Sequence, residues 1–198
     1  MRKRIKNKYL NSQSNKENIN FVYALCKSLK IREKLFIKSL KSFKGYPHRY
    51  EIFLKKRNTI FINDSKATSF QASKFALQSS KNIFWIVGGK PKLKDKFNLD
   101  KLKNNIIKSY IIGNHMNSFK VQLKGKVNYK LSKTLNNAII SIFKDIQNFT
   151  KKKITILLSP ASASYDQFKN FEERGNQFKK IIKNYGKKYF GEIKTKSV

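Results

Sequence analysis

Acidic residues, cysteine and proline are all scarce in this sequence. Eleven Asp and Glu face 45 Lys and Arg, giving a formal charge of +34. The single cysteine, Cys26, excludes an intrachain disulfide framework and any cysteine metal cluster. It falls within Phe21-Val22-Tyr23-Ala24-Leu25-Cys26, where a buried, inert thiol is expected. No apolar run approaches the roughly 18 residues that a membrane span needs. The basic start, Met1-Arg2-Lys3-Arg4-Ile5-Lys6-Asn7-Lys8, is not followed by the apolar region of a secretory signal. These absences point to a soluble, cytoplasmic protein. Gly-x-x-x-x-Gly-Lys-Ser/Thr is also missing, so the chain has no P-loop to cradle a triphosphate.

The sequence does contain the makings of a core. Hydrophobic residues form 39% of the chain and aromatic residues 13%, too much for a disordered polymer. The 198 residues suffice for one ordinary domain and a little more. A charge of +34 attracts nucleic acid, anionic lipid or phosphorylated substrates. The lysines, however, spread along the whole chain together with abundant Asn, Ile, Phe and Tyr. That pattern favours a solvated surface set by composition over a selected polyanion site.

Periodicity divides the chain near Gly45-Tyr46-Pro47. Before it, residues 1–14 are polar and basic. Ile19, Val22, Tyr23, Cys26 and Leu29 then recur at helical spacing, with Ser14 or Asn15 as cap. A second helix is expected over Glu33–Ser42. After the break, short apolar runs alternate with amphipathic segments. Strands are expected at Tyr50–Leu54, Thr59–Asn63, Asn82–Val87, Ser109–Ile112, Val127–Lys130 and Lys153–Leu158. Helices are expected at Ser69–Ser79, Asp100–Asn105, Met116–Leu123, Lys133–Phe149 and Phe168–Tyr185. This alternation predicts an α/β, Rossmann-like fold: a mostly parallel sheet with helices on both faces, preceded by a short helical segment. The first two strands are also spaced to pair as an antiparallel edge hairpin. The tail from Gly186 to Val198 has little apolar content and is expected to be loose.

Ligands of open α/β sheets bind beyond the carboxyl ends of the strands, and three of those junctions carry chemistry. Asn63-Asp64-Ser65-Lys66-Ala67-Thr68 follows Ile60-Phe61-Ile62. Thr68 and Gln71 have capping-box spacing, and the helix start beside Lys66 suits an anion. Asp64 would repel that anion, so a sugar hydroxyl or a cation suits it better. Gly88-Gly89-Lys90-Pro91-Lys92 combines glycines that admit close backbone approach with cationic side chains. Ser159-Pro160-Ala161-Ser162-Ala163-Ser164-Tyr165-Asp166-Gln167 offers small residues and hydroxyls able to bond a carboxylate. A capped turn is the alternative at the first and third junctions, and an ordinary strand-ending glycine pair at the second.

Taken together, these segments resemble the Mur ligase family, and within it the members that add D-glutamate. Ser159-Pro160-Ala161-x-Ala163-Ser164-x-Asp166-Gln167-Phe168 followed by Asn170-Phe171-x-x-Arg174-Gly175 is similar to their long motif. Asn63-Asp64-Ser65-Lys66-Ala67-Thr68 is similar to a second motif, Pro47-His48-Arg49 with Glu51 to the linker motif, and Asn15-x-x-Asn18 to an adenine-contacting pair. The family activates a carboxylate with ATP, and an amino acid amine then forms the amide. Magnesium and basic groups stabilise the transferring phosphoryl. By resemblance, Asn15 and Asn18 contact adenine, Arg49 and Asp64 hold the ribose and phosphate region, and Lys66 lies near the phosphates as the catalytic cation. Thr68, Lys92, Ser164 and the main chain at Phe171 are then expected to bind D-glutamate.

Three positions depart from the family pattern: Ser14 stands in place of His, and Ser162 for Cys and Ser69 for Asn are chemically mild swaps. Lys90 and Lys94 compete with Lys92 for its assigned place. His115 matches no motif residue, and a surface loop position is expected for it. The resemblance implies that residues 1–45 are the helical end of the central ATP-binding domain, 46–50 a linker, 51–185 the amino-acid-binding domain and 186–198 a basic tail. The P-loop half, most magnesium ligands and the domain for UDP-N-acetylmuramoyl-L-alanine have no counterpart here. A fragment inactive without a complementing N-terminal chain is therefore expected. The alternative is a non-catalytic basic α/β domain that binds nucleic acid or another polyanion.

Overall fold

The computed structural model describes residues 7–10, 13–149 and 152–191. The chain divides into two compact units between Tyr46 and Pro47. In the first, α1 (Gln13–Ser28) and α2 (Glu33–Ser42) pack through Tyr23 and the buried Phe36, whose rings lie 5.3 Å apart. The Asn7 side chain donates to the carbonyls of Leu40 and Phe43 at 2.8 and 2.7 Å, tying off the end of α2. Cys26 is free and only half-buried, because its helix has one neighbour in this unit and not a surrounding core.

The second unit is built on β1 (Glu51–Lys56), β2 (Thr59–Asn63), β3 (Ile83–Gly88), β4 (Ile106–Ile112), β5 (Tyr129–Lys133) and β6 (Ile154–Leu158). Their order is β1-β2-β6-β3-β4-β5. β1 pairs antiparallel with β2, as the hairpin reading allowed, and the other neighbours are parallel. β3 and β6 are buried along their whole length, which explains their continuous apolar sequences. Their side chains alternate between two cores. Phe84, Ile86, Ile156 and Leu158 face α5 (Leu135–Asp145) and α6 (Phe171–Phe190). Trp85, Val87 and Leu157 face α3 (Phe70–Ser79) and α4 (Met116–Leu123).

Several expected elements differ in extent: β4 begins three residues earlier, at Ile106, and α5 is confined to Leu135–Asp145. β5 starts at Tyr129, not Val127, since this exposed edge strand has little apolar pattern to mark its register. Asp100–Asn105 forms turns ending in a 3-10 helix at Lys103–Asn105, anchored by buried Leu99 and Leu102. α6 runs through Gly186 to Phe190, whose ring packs 6.2 Å from Phe61. The expected loose tail is therefore helical at its start, while residues 192–198 lie outside the described residues, as do 1–6, 11 and 12 of the basic start. Among the described residues, no helix is long and apolar enough to cross a membrane.

The parallel strands share one carboxyl edge. From β2 the chain leaves to α3 on one face, and from neighbouring β6 it leaves to α6 on the other. Connections that diverge in this way open a crevice at the strand ends.

Candidate functional site

Arg174, on the first turn of α6, lies at the bottom of that crevice and is fully buried. Its Nε donates to Ser65 Oγ at 3.0 Å, and its Nη2 donates to the carbonyls of Ser65 at 2.8 Å and Ser162 at 3.0 Å. One guanidinium thus joins the segment after β2 to the segment after β6. Its Nη1 has no partner among the described residues and faces Gly89, after β3. Burial pulls the guanidinium down to about 10, with the carboxylate of Asp166 acting the other way. Ser65 Oγ also donates to the carbonyl of Phe171 at 2.8 Å. The Lys66 ammonium sits 3.8 Å from the centre of the Phe171 ring, within cation–π range.

The carboxyl of Asp64, one residue before Ser65, is also buried. It accepts from the Tyr50 N–H at 3.0 Å and from the Ser159 hydroxyl at 2.7 Å, and burial pushes it up to about 7. Buried Asn63 is a second hub. Its amide nitrogen lies 2.9 Å from His48 Nδ1 and donates to Glu51 at 3.1 Å. Glu51 in turn accepts from the His48 N–H and pairs with Lys179 at 3.1 Å. His48 is held below its ordinary value by burial and then by Lys179. Its φ of +62° turns the linker into this cluster, and the Lys66 N–H donates to its carbonyl at 3.0 Å.

Glycine is required where the strand ends crowd together. Gly113 has a φ of +93°, and a Cβ there would stand 2.5 Å from Asp166 Oδ2 and 2.8 Å from Gly89 N. Asp166 accepts from the Asn114 N–H at 2.8 Å, so it bridges the ends of β4 and β6. Lys90 and Ala163 exchange backbone hydrogen bonds, which bring the lysine-bearing loop against Ser162–Ser164. Cations and hydroxyls therefore converge beside the capped start of α6, an arrangement whose charge suits a small acidic ligand.

No family model matches the chain. It is 41% identical over 175 residues to the UDP-N-acetylmuramoylalanine–D-glutamate ligase of Wolbachia pipientis wMel, covering 88% of this chain and 34% of that protein. The chain is similar to Mur ligases over most of its own length. It spans about a third of the length of that relative, 34%. The solved structure of MurF from Acinetobacter baumannii matches with a TM-score of 0.61 at 15% identity, over 86% of this chain and 38% of that one. MurF ligase from Thermotoga maritima, solved in complex with ADP, matches with a TM-score of 0.55 at 19% identity, over 87% and 39%. The six-stranded α/β sheet is the Mur ligase C-terminal domain fold.

The residues expected from the Mur ligase motifs are distributed as follows. Lys66 and Phe171 stand at the Arg174 network, with Thr68 two residues beyond Lys66 and Ser164 two residues beyond Ser162. Thr68 does not cap α3. Ser69 does, accepting from the Ala72 N–H at 3.3 Å, because the chain stays extended one residue longer. The half-buried Thr68 and buried Ser164 have no side-chain hydrogen bond among the described residues, so both hydroxyls are free for a ligand. Asp64 has both oxygens engaged, and the Phe171 carbonyl is taken by Ser65, which leaves the N–H at that helix start. Lys90, Lys92 and Lys94 are all exposed on one loop, and Arg49 is exposed beside buried Asp64. Asn15 and Asn18 lie on α1 in the other unit, Asn15 donating to the Tyr9 carbonyl at 2.7 Å. His115 is exposed at the start of α4, as its lack of a motif implied.

In the sequence, Arg174, Asn63, His48 and Glu51 stand only as motif letters, with no role marked. An arginine three residues into a helix reads as surface; only the tertiary fold buries it. A hollow of about 530 Å³ lies elsewhere, at the amino ends of β4 and β5 between Lys103, Ile106, Gly125 and Tyr129. It is an open groove beside an edge strand, and the nearby Lys126 ammonium already donates to the Phe97 carbonyl. The chemistry converges at the opposite edge.

Proposed function

We propose that this chain is the amino-acid-binding part of an ATP-dependent ligase that joins D-glutamate to UDP-N-acetylmuramoyl-L-alanine. The observation that carries the proposal is the Arg174 network, which brings the segments after β2 and β6 together with Lys66 at the start of α6. Lys66 and Lys92 answer the carboxylates of a dicarboxylic amino acid, while Thr68, Ser164 and the N–H at Phe171 fix its orientation. Exposed Arg49 beside Asp64, and Asn15 with Asn18, are the nucleotide-side contacts of this proposal.

The chain does not supply a complete ATP site. It has no P-loop motif. Among the described residues, no three His, Cys, Asp or Glu gather to hold a metal, and Asp64 is fully hydrogen-bonded. Triphosphate and magnesium therefore belong with the remaining Mur ligase sequence, on a complementing N-terminal chain or segment. This chain's own work is to bind D-glutamate, keep its amine oriented and exclude water around it.

NMR titration with D- and L-glutamate tests the binding. Shifts at residues 64–68, 162–166 and 171 that favour the D-isomer support the proposal. Equal responses to both isomers, or none, overturn it. Mixing with an N-terminal Mur ligase half tests the reaction, with amide formation dependent on ATP and D-glutamate as the expected result. In the polyanion alternative, suggested by the +34 charge, DNA binding falls steeply with salt and ignores Thr68→Ala and Ser164→Ala.

A further inference from the structure

A fully buried guanidinium is an expensive way to fill a core. It loses its hydration, and Arg174 recovers only hydrogen bonds to a hydroxyl and two carbonyls, with no directly bonded carboxylate. Its Nη1 is left without a partner among the described residues. Apolar residues of similar volume usually serve stability equally well. What an apolar side chain cannot do is tie two strand ends together by directed hydrogen bonds.

The hydrogen bonds run in one direction, toward Lys66. Arg174 grips both the hydroxyl and the carbonyl of Ser65. That hydroxyl donates to the Phe171 carbonyl. The Phe171 ring then carries the Lys66 ammonium at 3.8 Å. Lys66 is also the residue after Ser65, and its own N–H is held by the His48 carbonyl. Its main chain and the aromatic surface under its cation are therefore set by the same pair, Ser65 and Arg174.

We propose that Arg174 is a positioning residue that places the Lys66 ammonium through Ser65 and Phe171. The chemical use of Lys66 rests on the ligase reading above, whereas its placement by Arg174 does not. A free lysine samples many rotamers; a cation held on a ring at a helix start faces one spot in the crevice. The neighbouring Gly89 keeps room for the guanidinium, since a Cβ there would come within 3.3 Å of Nη1.

Ring-current shifts test this directly in the full chain. After reductive ¹³C-methylation of the lysines, the Lys66 signal, assigned with Lys66→Arg, is expected well upfield of the others. Phe171→Leu should return it to the ordinary position and so calibrate the readout. Ser65→Ala and Arg174→Lys, checked for folding by circular dichroism, should do the same with the ring still present. Ser65→Ala removes only a hydroxyl and keeps the test open should Arg174→Lys fail to fold. An upfield Lys66 signal that persists in folded Ser65→Ala overturns the proposal, as does its absence from the wild-type chain. D-glutamate affinity should fall about tenfold in Ser65→Ala, the loss of roughly one charge-assisted contact. If the wild-type chain binds no D-glutamate, the ligase reading fails while the ring-current result still decides the positioning.

Discussion

The Ser159 hydroxyl donates a 2.7 Å hydrogen bond to Asp64 Oδ2, joining the end of β6 to the segment after β2. The carboxyl is buried there and titrates near 7, against an ordinary value of 3.8. The folded state therefore holds this proton over a pH range in which the unfolded chain has lost it. Stability from this group is full below about pH 4 and lost as pH rises through about 7. Asp64→Asn can keep both contacts without a charge, provided the Ser159 hydroxyl turns to accept. Urea denaturation should show the variant more stable than wild type at pH 8, with the advantage shrinking toward pH 5.

His48 works in the opposite direction. Burial, with Lys179 nearby, holds its imidazole below 6.5. Stability from neutral His48 is present above 6.5 and lost as pH falls through the folded value, because the unfolded chain takes up the proton first. In wild type this loss runs against the gain from Asp64. The Asp64→Asn variant should expose it as a fall in melting temperature below pH 6.5. Adding His48→Asn, which tolerates the positive φ and can accept from Asn63, should flatten that fall.

Gly175→Ala tests how tightly α6 meets the linker. Alanine is the better helix former by about 1 kcal/mol. Here, however, its Cβ would overlap the His48 ring and stand 2.9 Å from Asn63 Oδ1. Overpacking of this kind costs about 1–3 kcal/mol. The variant should lose stability in denaturant melts despite its higher helix propensity.

Thr68 and Ser69 are neighbours with separable roles. Ser69→Ala removes the cap of α3 and should cost about 1 kcal/mol while leaving D-glutamate binding intact. Thr68→Ala and Ser164→Ala remove hydroxyls with no hydrogen-bond partner among the described residues. They should change stability by less than about 0.5 kcal/mol and abolish measurable D-glutamate shifts. Equal loss of binding in Ser69→Ala would assign the effect to the helix start and not to Thr68.

Much of the fold was legible because it depends on local pattern. Glu33–Ser42 and Met116–Leu123 appear as helices with the expected ends, their turn residues and apolar periodicity acting within a few residues. Thr59–Asn63 is a strand with the expected limits, and the continuous apolar runs mark the two central strands. β5 lies two residues beyond its expected start because an edge strand buries too little to stamp its register on the sequence. α6 begins at Phe171, not Phe168: Asn170 caps it by accepting from the Glu173 N–H at 2.8 Å, and the residues before it are held by Ser164.

By itself the sequence determined the alternation of strands and helices, the absence of a P-loop and the order of motifs that mark a Mur ligase. Those properties are local or ordered along the chain, and hydrophobic period and residue identity suffice to read them. Only the tertiary structure decided that β6 inserts between β2 and β3, and with that insertion everything at the carboxyl edge. Ser65, Ser162 and Arg174 become partners because strands far apart in sequence lie side by side and α6 crosses beneath their ends. Burial of a guanidinium, the raised Asp64 carboxyl and the depressed His48 imidazole follow from that packing, and no run of neighbouring residues encodes them.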